Sequence, residues 1–141
     1  MLTEPRLRGI EDLLREIAAI AEDNRSVGLI IVAVDGDCDR SHNIADRLAF
    51  CEGRDPRILA VAAEEEVEVW MLALHRDVLG DWQAVRRDCD VKENHAYALL
   101  AQLGETGPGK GRKAAMRNLG REWSGLLQVC PELRRLGERI A

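Results

Sequence analysis

The stretch Val27-Gly-Leu-Ile-Ile-Val-Ala-Val34 is apolar without a break and rich in β-branched residues, and it runs directly into Asp35-Gly36-Asp37-Cys38-Asp39-Arg40. An uninterrupted apolar run of this length predicts a strand buried on both faces, as in a parallel sheet covered by helices. A second such run, Ile58-Leu-Ala-Val-Ala-Ala63, ends in Glu64-Glu65-Glu66. Between them, Ser41 is placed to cap a helix over 42–52, with Ile44, Leu48 and Cys51 on its inner face. Arg54-Asp55-Pro56 forms the turn into the second strand. Strand, helix, strand in this order is an α/β pattern.

The flanks are helical. Ile10, Leu13, Leu14, Ile17, Ala18 and Ala21 recur at three and four, which predicts a helix over 7–22 that begins near Thr3-Glu4-Pro5. Val67, Trp70, Met71, Leu74 and Val78 give an apolar stripe to a helix over 65–78. Further helices are expected over 92–103, 112–129 and 131–140, the last with Pro131 at its first position and Leu133, Leu136 and Ile140 inward. Trp70, Trp82 and Trp123 are expected as core or interface anchors. Two strands alone make a sheet too small to be stable by itself. A homo-oligomer, or a partner chain completing the sheet, is therefore expected.

The chain has 141 residues, the size of one domain, with 46% hydrophobic and 32% charged residues, which excludes disorder for the bulk of it. No apolar run reaches the roughly 18 residues of a membrane span, and the first residues lack a signal-peptide core, so a cytoplasmic protein is expected. Cys38, Cys51, Cys89 and Cys130 are 13, 38 and 41 positions apart, without a CxxC pair. Four reduced thiols are the expectation, three of them in or near the core. Residues 1–100 carry a net charge of −9 and residues 101–141 a net charge of +4. That division argues against binding nucleic acid by charge alone. It suits an acidic cluster for a divalent metal beside a basic C-terminal surface.

In parallel sheets, ligands bind at the carboxyl ends of the strands. Both strands here end in carboxylates: Asp35, Asp37 and Asp39 on the first, and Glu64, Glu65 and Glu66 on the second, with Glu68 just beyond. If the strands are neighbours, these groups converge, and hard oxygen ligands at close range suit Mg²⁺ or Mn²⁺. Asp35, Asp37, Asp39 and Glu66 are the expected metal ligands. Simpler uses exist for the same residues: a turn at Asp35-Gly36-Asp37, and a dipole-favoured helix start at Glu64–Glu66. Gly107-Pro-Gly-Lys-Gly-Arg-Lys113 is not a Walker-type loop, since its spacing differs and no strand precedes it. It does place Lys110, Arg112, Lys113 and Arg117 where they can meet a nucleic-acid backbone. His42, His75 and His95 are scattered and expected as surface or packing residues.

The segments Ile30-Ile-Val-Ala-Val-Asp35-Gly-Asp37-Cys-Asp39 and Ala60-Val-Ala-Ala-Glu64-Glu-Glu66-Val-Glu68-Val-Trp70-Met-Leu72 resemble the Toprim domain of topoisomerases, primases and OLD-family nucleases. The nearest likeness is to bacterial Toprim-like proteins carrying DxD and ExExW motifs. Cys130-Pro-Glu-Leu-Arg-Arg-Leu136 is similar to the C-terminal helix of that group. The resemblance spans about residues 8–140. It implies a Toprim-like (Rossmann-like) partial parallel sheet flanked by helices over 1–80, with a helical C-terminal extension over 81–141 packed on it as one domain. It also implies that Asp35 and Asp37 hold Mg²⁺ for phosphodiester chemistry, with Glu66 and Glu68 as the Glu-x-Glu pair, so that Asp35, Asp37, Glu66 and Glu68 would be the catalytic set. One departure stands out: a Toprim domain begins with a strand ending in a glutamate, and that strand would precede residue 1. The alternative expectation is a non-catalytic Toprim remnant that binds or regulates through protein–protein interaction. A haloacid-dehalogenase-type phosphatase is a weaker alternative. Asp39 stands where that family needs a hydroxyl, and no acidic pair recurs on a third strand.

Overall fold

Two parallel strands, eight short α-helices and their connecting turns make up an α/β structure in the computed structural model, which describes residues 9–39, 44–104 and 110–141. Helix α1 (Gly9–Asp23) precedes β1 (Ile30–Asp35). A tight turn at Asp37–Asp39 leads to α2 (Ile44–Glu52) and then β2 (Ile58–Ala63). The strands pair in register from Ile30 opposite Ile58 to Asp35 opposite Ala63. The expected caps at Thr3 and Ser41, and His42, lie outside the described residues.

Helices α1 and α2 cover one face of the sheet. Ile17 and Ala21 from α1, and Cys51 from α2, pack with Val32, Val34, Ile58 and Ala60. Arg57 fastens this layer. Its guanidinium donates to the carbonyl of Ala21 (2.7 Å), in the last turn of α1, and to those of Asn24 (2.7 Å) and Val27 (3.1 Å) in the connection beyond it. Asp55 holds Arg57 in place from the other side, 2.8 Å from both Nε and Nη2, and in turn its own carboxyl is held down to about 2 by Arg57.

The first strand departs from its expected environment. Only Val32 and Val34 are buried, whereas Ile31 is 48% exposed and Leu29 38%. The apolar run is thus half-covered, because the helices pack on one face of β1 and no third strand pairs with it among the described residues. β2 is more enclosed, with Ile58, Ala60, Val61 and Ala63 buried. Glu52, at the end of α2, accepts from the Ala60 N–H (2.8 Å) and from Arg139 (2.8 Å).

Beyond β2 come α3 (Glu68–Ala73), a single turn at Arg76–Val78, α4 (Trp82–Arg86), a π-helical turn at Lys92–Ala96 running into α5 (Tyr97–Gln102), α6 (Lys110–Ala115), α7 (Leu119–Val129) and α8 (Pro131–Ile140). The helix expected over 65–78 is thus shorter, and Glu64–Glu66 belong to the loop before it. Its buried residues are Val69, Met71, Leu72 and Ala73, while Val78 is 65% exposed. The helix expected over 112–129 is broken in two around Asn118. Leu133 and Leu136 of α8 point inward as expected, but Ile140 and Trp123 are exposed, and Glu132 is buried instead. A second core joins Ala63, Val69, Met71, Leu72, Val85, Val91, Ala96, Leu99 and Ala115. It binds the C-terminal helices to the strand end. No described helix is long and apolar enough to cross a membrane.

Candidate metal centre

The two strand ends are stitched together by backbone. The Asp37 N–H donates to the Glu65 carbonyl and the Cys38 N–H to the Glu64 carbonyl, both at 2.7 Å. Such close approach needs a residue without a side chain at Gly36. A Cβ there would meet the Ala63 carbonyl oxygen and lie 2.8 Å from that of Glu64. Asp37 and Cys38 both take positive φ, 50° and 51°. That left-handed pair is unusual outside glycine and reverses the chain sharply.

This seam brings together Asp35, at the end of β1, Asp37 in the turn, and Glu66 after β2. One carboxylate oxygen of each lies within 4.8 Å of the others. The Val67 N–H donates to Asp35 Oδ1 at 2.7 Å, and the Lys92 N–H to Glu66 Oε2 at 2.8 Å, so amides fix Asp35 and Glu66 in place. Oxygens on opposite sides of one Mg²⁺ lie about 4 Å apart. Adjacent oxygens on such an ion lie only about 3 Å apart, so the three carboxylates would have to close in to hold one together, and their all-oxygen donor set is the kind that suits Mg²⁺ or Mn²⁺.

Two cations border the cluster. Lys92 Nζ is 3.6 Å from Glu66 Oε1. Burial works against its charge, but Glu68, Glu66 and Asp35 more than offset this and hold it above its ordinary value. Arg112 of α6 reaches Glu68 Oε1 at 3.4 Å. Glu68 is otherwise enclosed: its side chain is 10% exposed, and Oε2 is buried without a hydrogen-bond partner among the described residues.

Among the expected ligands, Asp35, Asp37 and Glu66 are brought together, and Glu68 lies beside them. The side chain of Asp39 lies outside the described residues, as do residues 105–109 of the basic loop and the side chain of Lys110. Lys113 and Arg117 are exposed. Of the basic set, Arg112 is the one placed against the acidic cluster. Lys92 is the residue that sequence reasoning passes over. Only its place 26 residues beyond Glu66, at a turn that folds back on the strand end, gives it a role.

Glu65 turns away from the cluster into the interior and is fully buried. Arg86 Nε lies 3.3 Å from its Oε1, while Arg86 also donates to both oxygens of Glu132, at 3.0 and 3.3 Å. Trp70 Nε1 donates to Glu132 Oε1 at 2.8 Å. Desolvation pushes the Glu65 carboxyl up to about 7, against the pull of Arg86.

The expectation of four reduced thiols is corrected. Cys38 and Cys89 form a disulfide with their Cα atoms 5.8 Å apart, whereas Cys51 and Cys130 are free and buried. Burial pushes the Cys130 thiol up to about 12, which leaves it inert. Comparison with protein-family models, with curated proteins and with solved structures finds no match for this chain.

Proposed function

We propose that this chain is a Toprim-like module that holds a divalent cation, Mg²⁺ or Mn²⁺, on Asp35, Asp37 and Glu66 and uses it on the phosphodiester backbone of a nucleic acid. The observation that carries the reading is the convergence of those three carboxylates at the carboxyl end of two parallel strands. A bound cation stabilises phosphoryl oxygens and activates water. The Val67 and Lys92 amides hold Asp35 and Glu66 in position. Glu68, with one buried oxygen unpaired, is placed to accept a proton or to support the cluster. Lys92 and Arg112 supply positive charge at its rim, where an incoming phosphate loses its hydration.

A second reading, a non-catalytic binding or regulatory module, is favoured by the same two cations. Lys92 and Arg112 already pair with Glu66 and Glu68, so part of the acidic charge is neutralised within the chain.

Titration of labelled single- and double-stranded DNA and RNA, with the strands then checked for cleavage, separates the two, since binding without cleavage fits the second reading. With Mg²⁺ present, binding is expected to weaken as salt rises. The Lys110→Ala, Arg112→Ala, Lys113→Ala variant should show a salt slope smaller by about 2 to 3, roughly one for each phosphate that the missing cations no longer neutralise. Without metal, the net charge of −9 over residues 1–100 should keep binding weak. No binding under any condition supports the second reading.

A further inference from the structure

The disulfide adds a covalent link between two parts of the candidate centre that otherwise meet through hydrogen bonds, ion pairs and the apolar packing of Val85 and Val91 near Ala63. Cys38 directly follows Asp37, within the left-handed turn that aims the aspartates. Cys89 lies in the segment between α4 and the π-helical turn, and that segment grips the other half of the site. Arg86 holds Glu65, and Lys92 holds Glu66 through both its amide and its ammonium. Asp88 braces the same segment by accepting from the Asp90 N–H and the Asn94 side chain, with His95 Nε2 3.1 Å away. The aspartate turn and the glutamate support are thus covalently linked across 51 residues.

We propose that the Cys38–Cys89 disulfide is a redox-dependent brace on the acidic cluster, so that the oxidised chain binds a divalent cation more tightly than the reduced chain. The inference rests on the reading of Asp35, Asp37 and Glu66 as a cation site, beside which Glu68, paired with Arg112 through one oxygen, keeps the other buried without a hydrogen bond among the described residues. Two features make the brace switchable. Cys38 and Cys89 are only half-buried, so a small reductant reaches them, while the free thiols of Cys51 and Cys130 are almost wholly enclosed and do not compete for exchange. Release of the link also lets two consecutive non-glycine residues leave the left-handed region, which they otherwise occupy at a conformational cost. Asp37 then loses its fixed position relative to Glu66, and the cluster opens. Reduction by a phosphine is balanced as follows: the phosphorus is oxidised to the phosphine oxide, water supplies its oxygen and two protons, and the S–S bond becomes two thiols. By linkage, a bound cation must protect the disulfide against reduction by the same factor that the disulfide strengthens cation binding.

The test is a Mn²⁺ titration of the full chain in three forms: oxidised, phosphine-reduced, and Cys38→Ser/Cys89→Ser, each checked by circular dichroism. The dissociation constant is expected to rise about fivefold or more in both disulfide-free forms while the fold is kept. The midpoint for reduction in a glutathione buffer should shift by the same factor when Mn²⁺ is saturating. Equal affinity in oxidised and reduced chain overturns the brace and leaves the cation site standing. Loss of the whole fold on reduction makes the disulfide a staple of the structure and also overturns the brace. No Mn²⁺ bound by any form overturns the cation site and the brace together.

Discussion

Gly36→Ala is expected to destabilise the chain by about 3 kcal/mol, because the added methyl has nowhere to go. A Cβ at this position collides with two backbone carbonyls, those of Ala63 and Glu64, and neither can rotate aside as a flexible side chain would. To make room, the turn after β1 must withdraw from the end of β2. Withdrawal breaks the Asp37 and Cys38 amide bonds to Glu65 and Glu64, which are the seam on which the acidic cluster rests. For a chain of this size, the loss corresponds to a fall in Tm of roughly 10 °C. Gly137→Ala is the control: it lies within α8 with nothing near its missing Cβ, and alanine favours helix, so its Tm should hold or rise slightly. Equal melting of the Gly36→Ala variant and the parent would contradict the close approach of the two strand ends.

Arg86→Met is expected to be of similar or greater effect, about 3–5 kcal/mol at pH 8, because it strips the one guanidinium that serves two buried carboxylates. Glu65 has no other ion-pair partner among the described residues, and Glu132 keeps only the Trp70 N–H. The loss should shrink as the pH falls to 5, and the sign follows from the raised Glu65 carboxyl. Its folded value of about 7 exceeds an unfolded value near 4.5, so between these limits the folded chain holds a proton that the unfolded chain has released. Stability associated with this group is therefore complete below about pH 4.5 and is lost as the pH rises through 7. Without Arg86 the window extends further upward. Adding Glu65→Gln to Arg86→Met should restore part of the stability at pH 8 and little at pH 5. Denaturant titrations of the single and double variants at both pH values measure this directly. A pH-independent loss would contradict a Glu65 carboxyl that changes charge between pH 5 and pH 8.

The backbone frame is legible in the sequence because it depends on local pattern. The run Ile58–Ala63 gives β2 directly, and Pro131 marks the first turn of α8. The meeting of Asp35, Asp37 and Glu66 is legible too, because two parallel strands in register must deliver their carboxyl ends to one edge. What cannot be read depends on residues far apart in the chain. Glu65 looks like its neighbours Glu64 and Glu66, and only its ion pair with Arg86, 21 positions away, a guanidinium it shares with Glu132, sets it apart. Cys38 and Cys89 are separated by 51 residues without a spacing motif. Lys92 carries no signal until the turn at 92–96 folds back to Glu66. The exposure of Ile31 is hidden for a related reason: apolar character indicates a strand, but not how many faces its neighbours cover. The helix expected over 65–78 is too long because the apolar spacing continues through Leu74 to Val78, while the acidic residues before it are used by the seam.

Direct Mn²⁺ binding by the oxidised chain, measured together with thermal melting in millimolar Mg²⁺ or Mn²⁺, bears most closely on the proposed metal centre. The parent chain is expected to bind the ion and to melt a few degrees higher, since a roughly tenfold excess over Kd adds about 1.4 kcal/mol. The Asp35→Asn/Asp37→Asn variant, whatever its own melting point, should show neither binding nor a shift. A parent melt that is unchanged across metals, or Mn²⁺ bound equally by the Asn variant, would contradict a cation site at the ends of the two strands.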